Sequence, residues 1–99
     1  MVISVFFWRM IMTTYVCNVE GLEFEVEATS QKDWNQRMHS YLIRGIRIEA
    51  GMSRNEFCEW LGIPYRTLQE WELGDRIMPE YVLNLIAYKV AMEKKAGKI

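Results

Sequence analysis

The stretch GMSRNEFCEWLGIPYRTLQEWELG, residues 51–74, decides the fold. Phe57, Cys58 and Leu61 fall three or four positions apart, as do Leu68 and Trp71 further on, so each half carries an apolar stripe at helical spacing. Gly51 ends what precedes. Ser53 and Glu56 have the spacing of a capping box, and Met52 with Phe57 fills the two positions of a hydrophobic staple. Gly62 can take the positive φ of a tight turn, and Pro64 suits the first turn of a following helix, where its missing N–H is not needed. Ile63 is a poor N-cap. Gly74 closes the second helix after Trp71. The stretch therefore reads as two short helices hinged at Gly62, the second leaving Tyr65, Arg66, Gln69 and Glu70 outside.

Outward from this pair the patterning changes. Ser30 with Asp33 marks a helix start, and Trp34, Met38, Tyr41 and Leu42 recur at helical spacing, which predicts a helix from about Gln31 to Ala50. Gly45 within it costs about 1 kcal/mol relative to Ala, so a break or a close helix contact is expected there. On the C-terminal side a last helix opens near Pro79, with Val82, Leu85, Ile86 and Val90 on one stripe and Tyr81, Tyr88 and Met92 beside it. Lys94, Lys95 and Lys98 suit the negative end of that helix and are expected to be solvated, and Gly97 can terminate it. From Thr13 to Ala28 the period drops to two on both sides of Glu20-Gly21, the pattern of a β-hairpin with Leu22, Phe24 and Val26 on one face and Glu23, Glu25 and Glu27 in water. A lone hairpin is marginal, so it must pack on the helices, pair with another hairpin, or recruit Ile3 to Trp8 as a third strand.

Composition sets the frame. Ninety-nine residues, 51% hydrophobic and 25% charged, describe one compact globular unit. Four Trp, five Tyr and four Phe supply enough large side chains for a core without staples, and seven Met can fill gaps between helices. The chain divides into an N-terminal β segment, 1–29, and a helical region, 30–99. Cys17 and Cys58 form no Cys-x-x-Cys pair, which argues against a zinc site or a disulfide framework and for a reducing, cytoplasmic setting. Met1 to Met12 is apolar but interrupted by Arg9, too short to span a bilayer, and lacks a basic region ahead of it, so neither a signal peptide nor a membrane partner is expected. The start at Met1, Met10 or Met12 stays open. The net charge of −1 is unevenly divided: residues 1–36 hold two basic against five acidic residues, residues 37–99 ten against eight.

A helix that carries polar side chains on its exposed face, held at a fixed angle by a preceding helix, has the geometry for entering a DNA major groove about 12 Å wide. The residues from Ile43 to about Val90 also carry a resemblance. Arg47, Gly51-Met-Ser, Phe57-Cys58, Leu61-Gly-Ile, Thr67-Leu68, Trp71-Glu72 and Gly74 followed by Pro79 resemble the Cro and phage-repressor (xenobiotic-response-element type) family of helix-turn-helix proteins, and the stretch from Ile63 with Pro79-Glu-Tyr-Val-Leu is similar to its short bacterial members. The resemblance implies a mainly α, lambda-repressor-like bundle of four to five helices, here with an N-terminal β-hairpin, docking the helix from Pro64 to Trp71 on double-stranded DNA.

By the family's pattern, Tyr65, Arg66 and Glu70 meet base edges, with Gln69 at the margin. Arg66 can pair bidentately with guanine, worth about 1–3 kcal/mol of discrimination, and Gln69 with adenine. Glu70 has two readings: it accepts from cytosine, or it pairs with Arg66 four positions away and repels phosphate. Ser53, Arg54 and Asn55 open the preceding helix, where backbone N–H groups favour phosphate, and Arg76 can reach the DNA backbone from the far side. Position 54 departs from the family's usual glutamine by adding charge. Arg47 and Glu72 match a pair the family uses as a structural ion pair.

The remaining polar residues have plainer readings. Cys58 is a small core residue. His39 has no Cys or carboxylate at ligand spacing, so it is a surface residue and no metal or cofactor is expected. No catalytic constellation can be assembled. The expectation is a DNA-binding transcriptional regulator, repressor-like and homodimeric, reading a two-fold operator. The alternative is an antitoxin or interaction module whose acidic N-terminal segment binds a protein partner such as a toxin.

Overall fold

The structure, a computed structural model, describes residues 13–99. The expected third strand at residues 3–8 and the alternative starts at Met10 and Met12 lie outside the described residues. Within them the chain is mainly helical: a two-stranded antiparallel sheet, β1 (Thr13–Val19) and β2 (Leu22–Ala28), is followed by four helices, α1 (Gln31–Glu49), α2 (Arg54–Leu61), α3 (Tyr65–Leu73) and α4 (Glu80–Lys95). No described helix is long and apolar enough to cross a membrane.

The hairpin pairs in register from Thr13 opposite Ala28 to Val19 opposite Leu22. Its two-residue turn has positive φ at both Glu20 (51°) and Gly21 (85°), the type I′ signature whose twist matches that of the flanking strands. Asn18 Oδ1 accepts from the Gly21 N–H at 3.1 Å and holds the turn. Period two then does what the alternation predicts: Leu22, Phe24, Val26 and Ala28 are buried while Glu23, Glu25 and Glu27 face out. The apolar face packs mainly on α1, and Tyr15 of β1 stacks on Trp34 with ring centroids 4.0 Å apart. Of the three ways to support the hairpin, packing on the helices is observed among the described residues, and a third strand from Ile3 to Trp8 lies outside them.

Ser30 caps α1, its hydroxyl accepting from the Asp33 N–H. The helix is kinked, but at Arg37 (φ −126°, ψ 26°), not at Gly45. Gly45 instead marks a close contact with a strand: a Cβ there would stand 2.8 Å from the Phe24 ring and 3.0 Å from Val26. A glycine is what lets β2 lie against α1. Met38, expected on the inner stripe, is exposed, while Leu42, Ile43 and Ile46 are buried.

The capping box at Ser53 and Glu56 forms in both directions, and Gly62 ends α2 in the left-handed region at φ 73°. Pro64, not Ile63, is the N-cap of α3, with no side-chain bond; the weakness expected at Ile63 falls one residue outside the cap. Phe57, Cys58, Leu68 and Trp71 are buried together with Ile43, Ile46 and Val90, each large apolar side chain worth about 1.5–3 kcal/mol when removed from water. The hairpin's Leu22, Phe24 and Val26 belong to the same cluster.

The inner stripe of α4 differs from expectation. Leu83, Ile86, Ala87 and Val90 are buried, Val82 only partly, and Leu85 is 64% exposed. α4 carries apolar residues on two opposite faces, so spacing alone does not say which face turns inward.

Candidate functional site

The α2–α3 pair is built around one carboxylate. Glu72, on the inward face of α3, is fully buried, and Arg47 of α1 donates to both its oxygens, Nε to Oε2 at 2.9 Å and Nη2 to Oε1 at 3.2 Å. The remaining nitrogen, Nη1, donates to the Met52 carbonyl at 2.9 Å. Arg54 of α2 adds Nε to Oε1 at 3.3 Å, and Arg44 approaches to 3.8 Å while donating to the Glu72 carbonyl. Three guanidinium groups from two helices thus converge on α3, and the planar fork of Arg47 suits the bidentate part of that contact. The expected Arg47–Glu72 pair is present. Its two further partners were not expected, although Arg44 stands one helical turn before Arg47 and that spacing was the available signal.

This arrangement changes the setting of Arg54, expected at the DNA backbone. Its guanidinium turns toward Glu72 and toward Tyr65, and the hydrogen bond with Tyr65, opposed by burial and supported by Glu72, holds it above its ordinary pKa. Ser53 is engaged as well: its hydroxyl accepts from the Glu56 N–H and its own N–H donates to the Glu56 carboxylate, at 3.2 Å each. The Ser53 N–H and hydroxyl hold the Glu56 carboxyl below its ordinary value. Asn55 beside them is exposed.

The outer face of α3 begins after the tight turn. The N–H groups of Gly62 and Ile63 both donate to the Cys58 carbonyl, at 2.8 and 3.1 Å, which holds the two helices close. Tyr65 is 42% exposed, the Arg66 side chain 86%, and Gln69 is half-buried. Glu70 pairs with both neighbouring cations, Arg66 Nε at 3.3 Å and Arg76 Nε at 3.1 Å. The pairing with Arg66 is thus formed, and with the Arg66 side chain largely in solvent it is worth no more than about 1 kcal/mol.

Elsewhere the plainer readings fare unevenly. Cys17 and Cys58 are free and buried, and burial raises both thiols above their ordinary value, the condition of an inert core cysteine. Lys94 is not simply solvated: it reaches the Glu49 side chain and carbonyl at the end of α1. His39 is half-buried on the wall of a cavity of about 240 Å³ that Arg37 and Arg76 also line. Among the described residues no three His, Cys, Asp or Glu side chains are grouped so as to hold a metal ion.

Comparison with protein-family models, curated proteins and solved structures finds no match to this chain.

Proposed function

We propose that this chain is a sequence-specific DNA-binding regulator of the helix-turn-helix type, with α3 as its reading helix in the major groove. The observation that carries this reading is the exposed N-terminal half of α3. Arg66 projects with 86% of its side chain in solvent from a helix whose opposite face is anchored by a buried ion cluster. A reader needs mobile polar tips on a rigid stem, because ordering the stem in advance lowers the entropy lost on docking.

On DNA, Arg66 exchanges Glu70 for the O6 and N7 acceptors of guanine, and Tyr65 and Gln69 contact neighbouring positions. Arg76, Asn55 and the free N–H groups at the start of α2 meet phosphates and set the register. Arg54 acts through Glu72 and Tyr65 more than through phosphate. Two copies read a two-fold operator with half-sites about one helical turn apart.

Selection of bound sequences from a random DNA pool tests this directly. Enrichment of a two-fold motif, and its loss at one position per half-site with Arg66→Ala, is the expected outcome. Equal affinity for scrambled and selected DNA across a salt titration rejects it.

A second reading has its own observation, the row Glu23, Glu25 and Glu27 standing exposed along β2, a surface for a basic protein partner. Deleting the hairpin cannot test it, since Phe24 and Val26 are core. Changing the three glutamates to Gln leaves the core intact. Loss of a co-purifying partner with that variant, and no motif from the DNA pool, would favour this reading.

A further inference from the structure

Along α4, Tyr81, Leu85, Tyr88 and Met92 are exposed at 69, 64, 52 and 48%, although all four are large and apolar in body. At 3.6 residues per turn their spacing of four, three and four puts them in one narrow row, directly opposite the buried Leu83, Ile86, Ala87 and Val90. Spacing of four and three is the seam of paired helices, with knobs from one entering gaps of the other. A groove of about 410 Å³ beside Tyr81, Leu85 and Tyr88 offers such a gap.

The order of the spacing identifies the occupant. Read from either end it is the same, so a second α4 running antiparallel sets Tyr81 against Met92 and Leu85 against Tyr88, twice over, about a two-fold axis between Ile86 and Ala87. That is the condition for an isologous contact, in which residue i meets j and j meets i. Charge selects the direction. Glu80 opens α4 and Lys94 and Lys95 close it, so antiparallel pairing about that axis lays the acidic first turn of one copy within a turn of the basic last turn of the other and opposes the helix dipoles. Glu80 then stands level with Glu93 and two positions short of Lys95. Parallel pairing would bring like charges together at both ends.

We infer that the exposed face of α4 is a homodimer interface, formed by a second copy of this chain packing its α4 antiparallel on the first. This deepens the two-fold reading above by naming its surface. Its test reads association and not DNA binding, so the two can fail separately.

The full chain in sedimentation equilibrium should show concentration-dependent mass approaching twice that of one chain. Leu85→Glu and, independently, Tyr88→Glu should each shift dissociation at least tenfold toward monomer while keeping the helical circular dichroism, since both positions are solvent-facing in the monomer. For direction, a mixture of Tyr81→Cys and Met92→Cys chains should give an oxidised dimer that neither gives alone, the native thiols being buried. A monomeric full chain overturns the inference. So does a dimer indifferent to both glutamates, or a disulfide formed by Tyr81→Cys alone.

Discussion

Arg47 on α1 grips both carboxylate oxygens of Glu72 on α3, at 2.9 and 3.2 Å, with the carboxylate wholly out of solvent. The pair joins the helix that bears the hairpin to the helix that bears the exposed polar face. Any tilt of α3 must break it. Removing Arg47 takes away the bidentate partner and leaves the buried Glu72 carboxylate to Arg54 and the more distant Arg44, so Arg47→Met should lower unfolding free energy by about 3 kcal/mol, the lower end of the cost of breaking a buried pair. Arg44, farther away and partly exposed, should cost less than about 1 kcal/mol when changed to Ala. Urea denaturation of the two variants checks the contrast; equal losses would mean the cluster acts as one unit.

Gly45→Ala sets helix propensity against packing. Alanine gains about 1 kcal/mol of propensity in a helix interior, but its Cβ would meet a buried, inflexible Phe24 ring at 2.8 Å. Overpacking of that kind costs about 1–3 kcal/mol, so a net loss of about 1 kcal/mol is expected. The double variant Gly45→Ala/Phe24→Leu should recover part of it. A more stable single variant in thermal melts would show that the hairpin yields.

Glu70 neutralises two cations at the proposed DNA surface. Glu70→Gln frees Arg66 and Arg76, so affinity for random duplex should rise at low salt. The slope of log K against log salt should steepen by about 1 for each phosphate gained. Fluorescence anisotropy over a salt series measures both. An unchanged slope would place neither arginine near phosphate.

Acid stability follows from two caps. Asp33 accepts from the Tyr41 hydroxyl and from Thr29, and Glu56 from Ser53, so both carboxyls titrate below their ordinary values of 3.8 and 4.5. A folded pKa below the unfolded one means the stabilisation is full above the ordinary value and is lost as pH falls through the lowered one. The thermal midpoint should therefore fall from about pH 4.5 downward. Asp33→Asn and Glu56→Gln should be less stable near neutrality and lose less on acidification. Parallel pH profiles for all three proteins would contradict this.

Much of this is local, and local chemistry was readable. The hairpin turn at Glu20-Gly21, the caps at Ser30 and Ser53 and the hinge at Gly62 depend on residues within four positions of one another. Binary patterning could say that Phe24 points away from Glu25, and that Leu68 and Trp71 share a face. The Arg47–Glu72 pair spans 25 positions and came into view only through family likeness.

What the chain by itself determined is the run of elements and their starts and stops, because hydrogen-bond capping and backbone freedom act at short range. What only the tertiary structure decided is which of two equivalent surfaces turns inward. α4 has apolar residues on opposite sides, and the packing of α1 and the hairpin selects Leu83 over Leu85. Gly45 has no intrinsic preference for a strand, and Phe24 supplies one. Arg54 is a surface cation by composition, and it turns to Glu72 because a buried carboxylate draws in every donor the fold brings within reach.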